Sequence, residues 1–206
     1  MRKLLIVGAG GHGAVVANVA DEMRIYSQIA FLDDGDKDSC LGFSVLGRVK
    51  DAAIFVGEYE FFVAIGNGTT RERITQDLKN QGAVIATLVH PKSVVAKSVT
   101  LGEGTVVMAG AVIEPRAVIG EGCIINTSAS VNHDVVLGNY THVAVGAHVA
   151  GSVCVGARSW IGVGAAVKNN VNIGSDCIIG AGGVVVKDCI ETGTYVGVPT
   201  KRISKS

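Results

Sequence analysis

The 206-residue chain is poor in aromatic residues, which make up 5% of it, with a single tryptophan. So few bulky rings suit a narrow interior filled by aliphatic side chains, as in a glycine-cornered solenoid. Net charge is also missing: 18 basic residues offset 18 acidic ones. With no basic stripe, a nucleic-acid partner is not expected. No apolar run approaches the ~18 residues of a membrane span, so membrane insertion is not expected either. The five cysteines (Cys40, Cys123, Cys154, Cys177, Cys189) show neither metal nor redox spacing. That excludes a disulfide framework and points to a reducing, cytoplasmic setting. The opening Met1–Gly8 begins like a signal peptide, but a glycine loop and a helical pattern follow, so it reads as a first strand.

Glycine, by contrast, is abundant at 28 residues, and a six-residue rhythm runs through the second half. Stepping by six from Leu101 to Val185, all fifteen positions are Val, Ile or Leu. Stepping by six from Val99 to Gly183, all fifteen are the size of Val or smaller. Leu101-Gly102, Ile119-Gly120, Leu137-Gly138, Val155-Gly156 and Ile173-Gly174 recur every 18 residues. A period of six fits neither an isolated helix nor an isolated strand. It fits a parallel β-helix of hexapeptides, with three short sides per 18-residue coil and about five coils. The two series lie two residues apart, so they share one inward face. Cys123 and Cys177 fall in the small series and read as core filler. The glycines after the branched residues are expected to turn the corners. The tail from Thr194 to Arg202 reads as the cap on the last coil.

The first half has a different pattern. Residues 3–8 read as a buried strand, and Gly8-Ala-Gly10-Gly11-His12-Gly13 as a turn into a helix over Ala14–Asp21. Ile29–Leu32 reads as a second strand ending in Asp33-Asp34, residues 35–48 as a polar loop, and Asp51–Val56 as a short helix. Glu60–Ile65 reads as a third strand, Thr70 as the cap of a helix through Asn80, and Ala83–Val89 as a fourth strand. This alternation predicts a small Rossmann-type α/β sheet over residues 1–89, followed by the β-helix over 90–206. Such sheets hold ligands at the carboxyl ends of their strands. Gly8-x-Gly10-x-x-Gly13 with Asp33 downstream satisfies the dinucleotide fingerprint. Fewer than 90 residues precede the repeats, however, which is half a dinucleotide fold. A nucleoside-diphosphate sugar fits such a half better than NAD does. A plain tight turn is the alternative, and His12 is either a pyrophosphate donor or a surface turn residue.

In the repeats, chemistry must use outward positions. Asn132 takes the corner-glycine position and is expected to carry the left-handed backbone. His133 follows, facing out with Asp134 beside it, which is a general-base arrangement. Stacking by 18 places His133 between Pro115 and Gly151, where a missing side chain should leave a groove. The same stacking sets Arg116 against Asp134, an ion pair that would compete for the carboxylate. Ile124, His142, Trp160 and Ile178 form an outward apolar column. His148 lies on the following side of the coil. A zinc set of His133, His142 and His148 is not expected, because they lie on different sides and no thiol supports them.

These residues resemble a known family. The glycine loop, Asp33-Asp34, Ala64-Ile-Gly66-Asn67, Asn126-Thr-Ser, Asn132-His133-Asp134, His142-Val-Ala-Val-Gly146 and Val196-Gly-Val-Pro199 look like bacterial hexapeptide-repeat sugar acyltransferases. That group contains UDP-4-amino-sugar (bacillosamine-pathway) and perosamine N-acetyltransferases and sialic-acid O-acetyltransferases. The resemblance covers essentially the whole chain. It implies a left-handed β-helix, a homotrimer with active sites between neighbouring β-helices, and acetyl-CoA as co-substrate with no metal. His133 matches the general base and Asp134 its supporting acid, a position where some members carry Glu. His142, Gly151, Val163 and Ala181 match the coenzyme channel. Gly10, Gly11, His12, Asp33, Asp34 and Gly66 match the nucleotide-sugar pocket. The implied activity is N-acetylation of a nucleotide-linked 4-amino sugar, a UDP-sugar foremost, by direct transfer. Lys168, Lys187, Lys201 and Arg202 are candidates for the coenzyme phosphates. The rival readings are an O-acetyltransferase on sialic acid or a polysaccharide sugar, an NAD-linked oxidoreductase and a non-catalytic scaffold.

Overall fold

The computed structural model describes residues 2–203, and the chain divides at Pro91/Lys92 into two compact units. The first unit runs β1 (Arg2–Val7), α1 (Gly11–Met23), β2 (Tyr26–Leu32), β3 (Ser39–Cys40), β4 (Phe43–Gly47), a 3-10 helix (Val49–Phe55), β5 (Glu60–Val63), α2 (Gly68–Asn80) and β6 (Val84–Ile85). The sheet order is β3-β4-β2-β1-β5-β6. All neighbours are parallel except β3 and β4. Leu4–Val7 and Ala30–Leu32 are buried runs without alternation, as expected for parallel strands covered on both faces. From α1, Val16, Ala17, Val19 and Ala20 are buried, and from α2, Ile74 and Leu78.

Several local expectations change. The polar loop over 35–48 contains the β3–β4 hairpin, whose two-residue arm is too short to leave a periodic signal. Helix α1 begins at Gly11, so His12 and Gly13 lie in its first turn. Helix α2 is capped by Asn67, whose side chain accepts the Thr70 N–H at 2.9 Å, and Thr70 is inside the helix. The strand expected over 83–89 is two short ones, β6 and Leu88–Val89.

The second unit is a left-handed β-helix of two-residue strands in three parallel sheets. One sheet stacks Val106–Val107, Ile124–Ile125, His142–Val143, Trp160–Ile161 and Cys177–Ile179. The second runs through Ser130–Val131 and His148–Val149, and the third through Val136–Leu137 and Cys154–Val155. In each of these sheets partners lie 18 residues apart. The branched series is buried from Val107 to Val185, and the small series from Thr105 to Gly183. Each branched side chain withdrawn from water contributes ~1.5–3 kcal/mol. The polar members of the small series are satisfied inside. The Ser159 hydroxyl donates to Gly174 O at 2.7 Å and accepts the Cys177 N–H at 3.0 Å. Thr105 does the same with Gly120 O and the Cys123 N–H.

The corners work differently from the expectation. The glycines at 102, 120, 138, 156 and 174 are absent from the positive-φ positions. They allow coils to approach. A Cβ on Gly156 would stand 2.4 Å from Ser175 N, and one on Gly174 would stand 2.1 Å from Ile190 O. The left-handed residue comes two positions later and recurs every six, from Gly104 to Gly182. Eight of these positions carry side chains: Arg116, Ser128, Asp134, Tyr140, Ser152, Arg158, Asn170 and Asp176. Non-glycine residues pay roughly 1–2 kcal/mol for this conformation. The return is an inter-coil hydrogen bond, because the turned N–H reaches the preceding coil: Asp134 to Pro115 O, Ser152 to His133 O, Asp176 to Ala157 O. The last coil is covered by Gly193–Val196, which pairs with Cys177–Ile179 and folds back on Lys201–Ile203.

Candidate active site

His133 stands on the corner between the second and third sheets. Its backbone is fixed by the turn, and the left-handed residue is Asp134 (φ 59°) rather than Asn132. That conformation brings the Asp134 carboxylate back beside the imidazole, with Nδ1 2.8 Å from Oδ2. The same carboxylate receives Arg116 from the preceding coil, Nε to Oδ1 at 2.7 Å and Nη2 to Oδ2 at 2.8 Å. The ion pair therefore does not compete with the histidine, and both are made at once. The hydrogen bonds from Arg116 first, then from His133, hold the Asp134 carboxyl well below the usual carboxylate range. An ionised carboxylate only accepts, so Nδ1 carries the hydrogen, and the lone pair of the neutral ring is the one on Nε2. The expected groove at Gly151 is filled by the ring itself. A Cβ on Gly151 would lie 2.6 Å from both Cε1 and Nε2 of His133. The missing side chain is the seat of the imidazole.

On the first sheet, His142 stacks on Trp160 with ring centroids 5.0 Å apart and planes 19° apart. Its Nε2 lies 3.1 Å from Asn126 Nδ2, and the Asn126 Oδ1 accepts the Thr127 N–H. The outward column is not exposed throughout. Val106 and Ile124 are fully buried, whereas Trp160 is 42% and Ile178 46% exposed. Beyond His142 the surface hollows into an apolar groove of about 260 Å³, lined by Trp160, Gly162, Val163, Ile178, Gly180 and Ala181. Trp160 belongs with Val163 and Ala181. The 18-residue register had placed it beside His142, but the sequence-predicted site set left it out. His148 is engaged elsewhere, its Nδ1 2.8 Å from the Ser130 hydroxyl.

In the first unit, the glycines of the loop divide by cause. Gly8 has φ +103°, and a Cβ on Gly13 would stand 1.9 Å from Gly8 O, so both are demanded by the chain itself. Gly10, Gly11 and Gly66 face open space. The first turn of α1 holds no acidic residue and Gly10 caps it without a side chain, which leaves N–H groups and a favourable dipole for an anion. His12, half-buried in that turn, has an Nε2 with no hydrogen-bond partner. Burial, and then the Arg71 guanidinium, lower its pKa to about 4, so it is a neutral imidazole at neutral pH. Arg71 is itself buried and donates to Ile65 O and Gly66 O at 2.7 and 2.9 Å. Asp33 holds the loop, because its carboxylate accepts the Ala9 N–H at 2.6 Å and the Gly35 N–H at 2.8 Å. Asp34 accepts the Val49 N–H at 3.0 Å. Both acids line a cleft of about 550 Å³ with Lys50, Thr70, Arg73 and Asp77. Gly10, Gly11, His12 and Gly66 are not part of its lining.

Residues 3–78 match the family of the PglD N-terminal domain. The acetyltransferase domain of PglB from Neisseria gonorrhoeae FA1090, in complex with acetyl coenzyme A, superposes with a TM-score of 0.96 at 39% identity, covering 98% of this chain and 99% of that one. A histidine-to-asparagine variant of perosamine N-acetyltransferase from Caulobacter crescentus, in complex with CoA and GDP-perosamine, gives 0.95 at 36% identity, covering 100% and 98%. The chain belongs to the hexapeptide-repeat sugar acetyltransferase family. Within it, a UDP-N-acetylbacillosamine N-acetyltransferase of Bacillus subtilis (strain 168) is 35% identical over 115 residues, 53% of this chain. That match spans about half, 52%, of the curated relative's length.

The predicted residues gather into three clusters rather than one: His133 and Asp134 beside Gly151, His142 near the Val163–Ala181 groove, and the glycine loop with its two acids. Of the candidates for the coenzyme phosphates, Arg202 is committed to Glu191 at 2.7 Å and to Thr192 O. Lys168 and Lys187 are exposed. Among the described residues no three His, Cys, Asp or Glu side chains cluster as metal ligands, and no helix is long and apolar enough to cross a membrane.

Proposed function

We propose that the protein transfers the acetyl group of acetyl-CoA to the amino group of a nucleotide-linked 4-amino sugar, with His133 as general base. The observation that carries this reading is the Nδ1–Asp134 hydrogen bond, which leaves Nε2 as the free base on a corner of the β-helix. Nε2 removes a proton from the amine as its nitrogen attacks the thioester carbonyl. The C–N bond forms, the C–S bond breaks, and the coenzyme thiolate leaves to take up a proton. A base positioned in this way contributes roughly 10²–10⁴-fold. No cysteine is needed as a covalent relay. The apolar groove beside Trp160 suits the coenzyme's pantetheine arm. The open glycines Gly10, Gly11 and Gly66, with the first turn of α1, suit the pyrophosphate of the sugar nucleotide. A UDP-sugar is the foremost candidate, in line with the curated relative's name. The GDP-sugar bound by the perosamine enzyme is the next. Coenzyme A chemistry and five free cysteines fit a cytoplasmic enzyme.

The reading also requires more than one copy. His133 lies on the corner between the second and third sheets, and the Trp160 groove lies on the first sheet and its corner with the second. On this reading the two complete one site between neighbouring β-helices, the base of one protomer meeting the coenzyme on another, in a homotrimer. The test is acetyl transfer to UDP- and GDP-linked 4-amino sugars, read by mass spectrometry. His133→Ala should lose 10²–10⁴-fold with its circular dichroism unchanged. Mixing unfolded His133→Ala and Trp160→Ala chains and refolding them together should restore part of the activity. Full activity in His133→Ala overturns the base, failure of the mixture to recover overturns the shared site, and transfer only to hydroxyl acceptors makes the protein an O-acetyltransferase.

A further inference from the structure

The β-helix contains two arginine–aspartate pairs of the same construction. Arg116 and Asp134 occupy left-handed corner positions on consecutive coils, 18 residues apart, and meet through two hydrogen bonds of 2.7 and 2.8 Å. Arg158 and Asp176 do the same on another corner, at 2.8 and 2.8 Å. All four residues have φ between 56° and 63°. The pairs differ in what surrounds the acid. Asp134 also holds the His133 ring, which lies over the bare backbone of Gly151. Asp176 follows Ser175 and holds no imidazole.

Both members of the first pair are substantially exposed, with side chains 65% and 37% accessible. An exposed ion pair contributes little to stability. A two-pronged guanidinium grip does, however, fix the plane of a carboxylate. Here it removes the rotation about χ2 that would turn Oδ2 away from Nδ1. Among the described residues the ring has no other polar partner to hold its tautomer, and its seat on Gly151 allows it to slide. From this we infer that Arg116 is a positioning residue for the proposed reaction, acting on His133 through Asp134, while Arg158 is the same device used for the fold alone. The inference rests on the assignment of His133 as the base.

The consequence is a distinctive pattern in kinetics. Arg116→Gln should lower kcat roughly tenfold and leave the KM values for acetyl-CoA and the nucleotide sugar within about twofold, because a residue that acts only through Asp134 has no direct part in binding either. Arg116→Lys, which keeps the charge but has one prong, should recover only part of the loss. Arg158→Gln should leave kcat unchanged while altering the thermal midpoint about as much as Arg116→Gln does. In an Asp134→Asn background, Arg116→Gln should cost less than about twofold, since a residue acting only through Asp134 has nothing left to act on.

These rates and midpoints are to be measured on the full-length chain. The inference is overturned if Arg116→Gln keeps full kcat, if it loses as much without Asp134 as with it, or if Arg158→Gln loses as much kcat. His133→Ala run alongside separates the two levels of the reading. If His133→Ala is inactive and Arg116→Gln fully active, only the positioning role falls. If His133→Ala is active, the base falls and the positioning role with it.

Discussion

The two units treat glycine and exception in opposite ways. In the β-helix, the glycines at 156 and 174 are accounted for by packing, since each would drive a Cβ into the backbone of the next coil. The candidates for function there are side chains that exceed the repeat: His133, His142 and Trp160 on a lattice of valines and alanines. In the sheet unit, side chains such as Asp33 and Asp34 are occupied with backbone N–H groups. The features without a structural cause are bare positions, Gly10, Gly11 and Gly66, where a Cβ would meet nothing. In both units the functional candidates are what remains once the demands of the fold are satisfied. In the repeats the remainder is a surplus of atoms, and in the sheet unit it is a deficit.

Gly151 is where that contrast is most exposed to failure. It is a bare position in the β-helix where the three atoms nearest a virtual Cβ all belong to the His133 ring, the end of a movable side chain. Gly151→Ala should therefore fold normally but push the imidazole aside, and a displacement near 1 Å can reduce turnover roughly 10²-fold. Unchanged steady-state kinetics would show that the ring needs no such seat.

A paired substitution in the loop comes next. Gly13→Ala places a methyl 1.9 Å from Gly8 O, a clash with backbone, and should lose about 2–4 kcal/mol in urea unfolding. Gly11→Ala meets nothing, so its stability should stay within ~0.5 kcal/mol or rise, while nucleotide-sugar affinity by calorimetry falls. Equal stability for the two would show that the cause assigned to each glycine is wrong.

The smallest effect concerns His12. Its pKa falls from about 6.5 when unfolded to about 4 in the folded chain. The unfolded state binds the extra proton between those values, so stability is intact above pH ~6.5 and declines as pH falls through about 4, by at most ~3 kcal/mol. Unfolding followed across that range should show a shallower decline for His12→Gln. Equal slopes would mean that burial does not hold this imidazole neutral.

The three-sided β-helix was legible because its inward face repeats without exception from Val107 to Val185. The corner conformation was not, because Arg116, Tyr140 and Asp134 share no side-chain chemistry and only their spacing of six marks them. For the same reason the left-handed turn was expected at Asn132, two residues early. His133 and Asp134 were legible as neighbours. Stacking by 18 also placed Gly151 beside the histidine, but it does not give the direction of the ring, so the seat was expected as an empty groove. Asp33 signalled a ligand by its distance from the glycine loop. Its bond to the Ala9 N–H depends on how the β1 and β2 ends come together, which no local pattern encodes. The β3–β4 hairpin was missed because two residues cannot display a period.

The recurring left-handed corner also constrains how this chain can change in length. A one-residue insertion carried through the repeats would turn the downstream inward side chains out of the core and move each left-handed corner onto the residue before it. Eighteen residues, added or removed together, leave all of that intact and change the height of the column by one storey, ~4.8 Å. The β-helix can therefore lengthen or shorten only in whole coils, and the separation along the column between His133 and the residues above it is fixed in steps of that size.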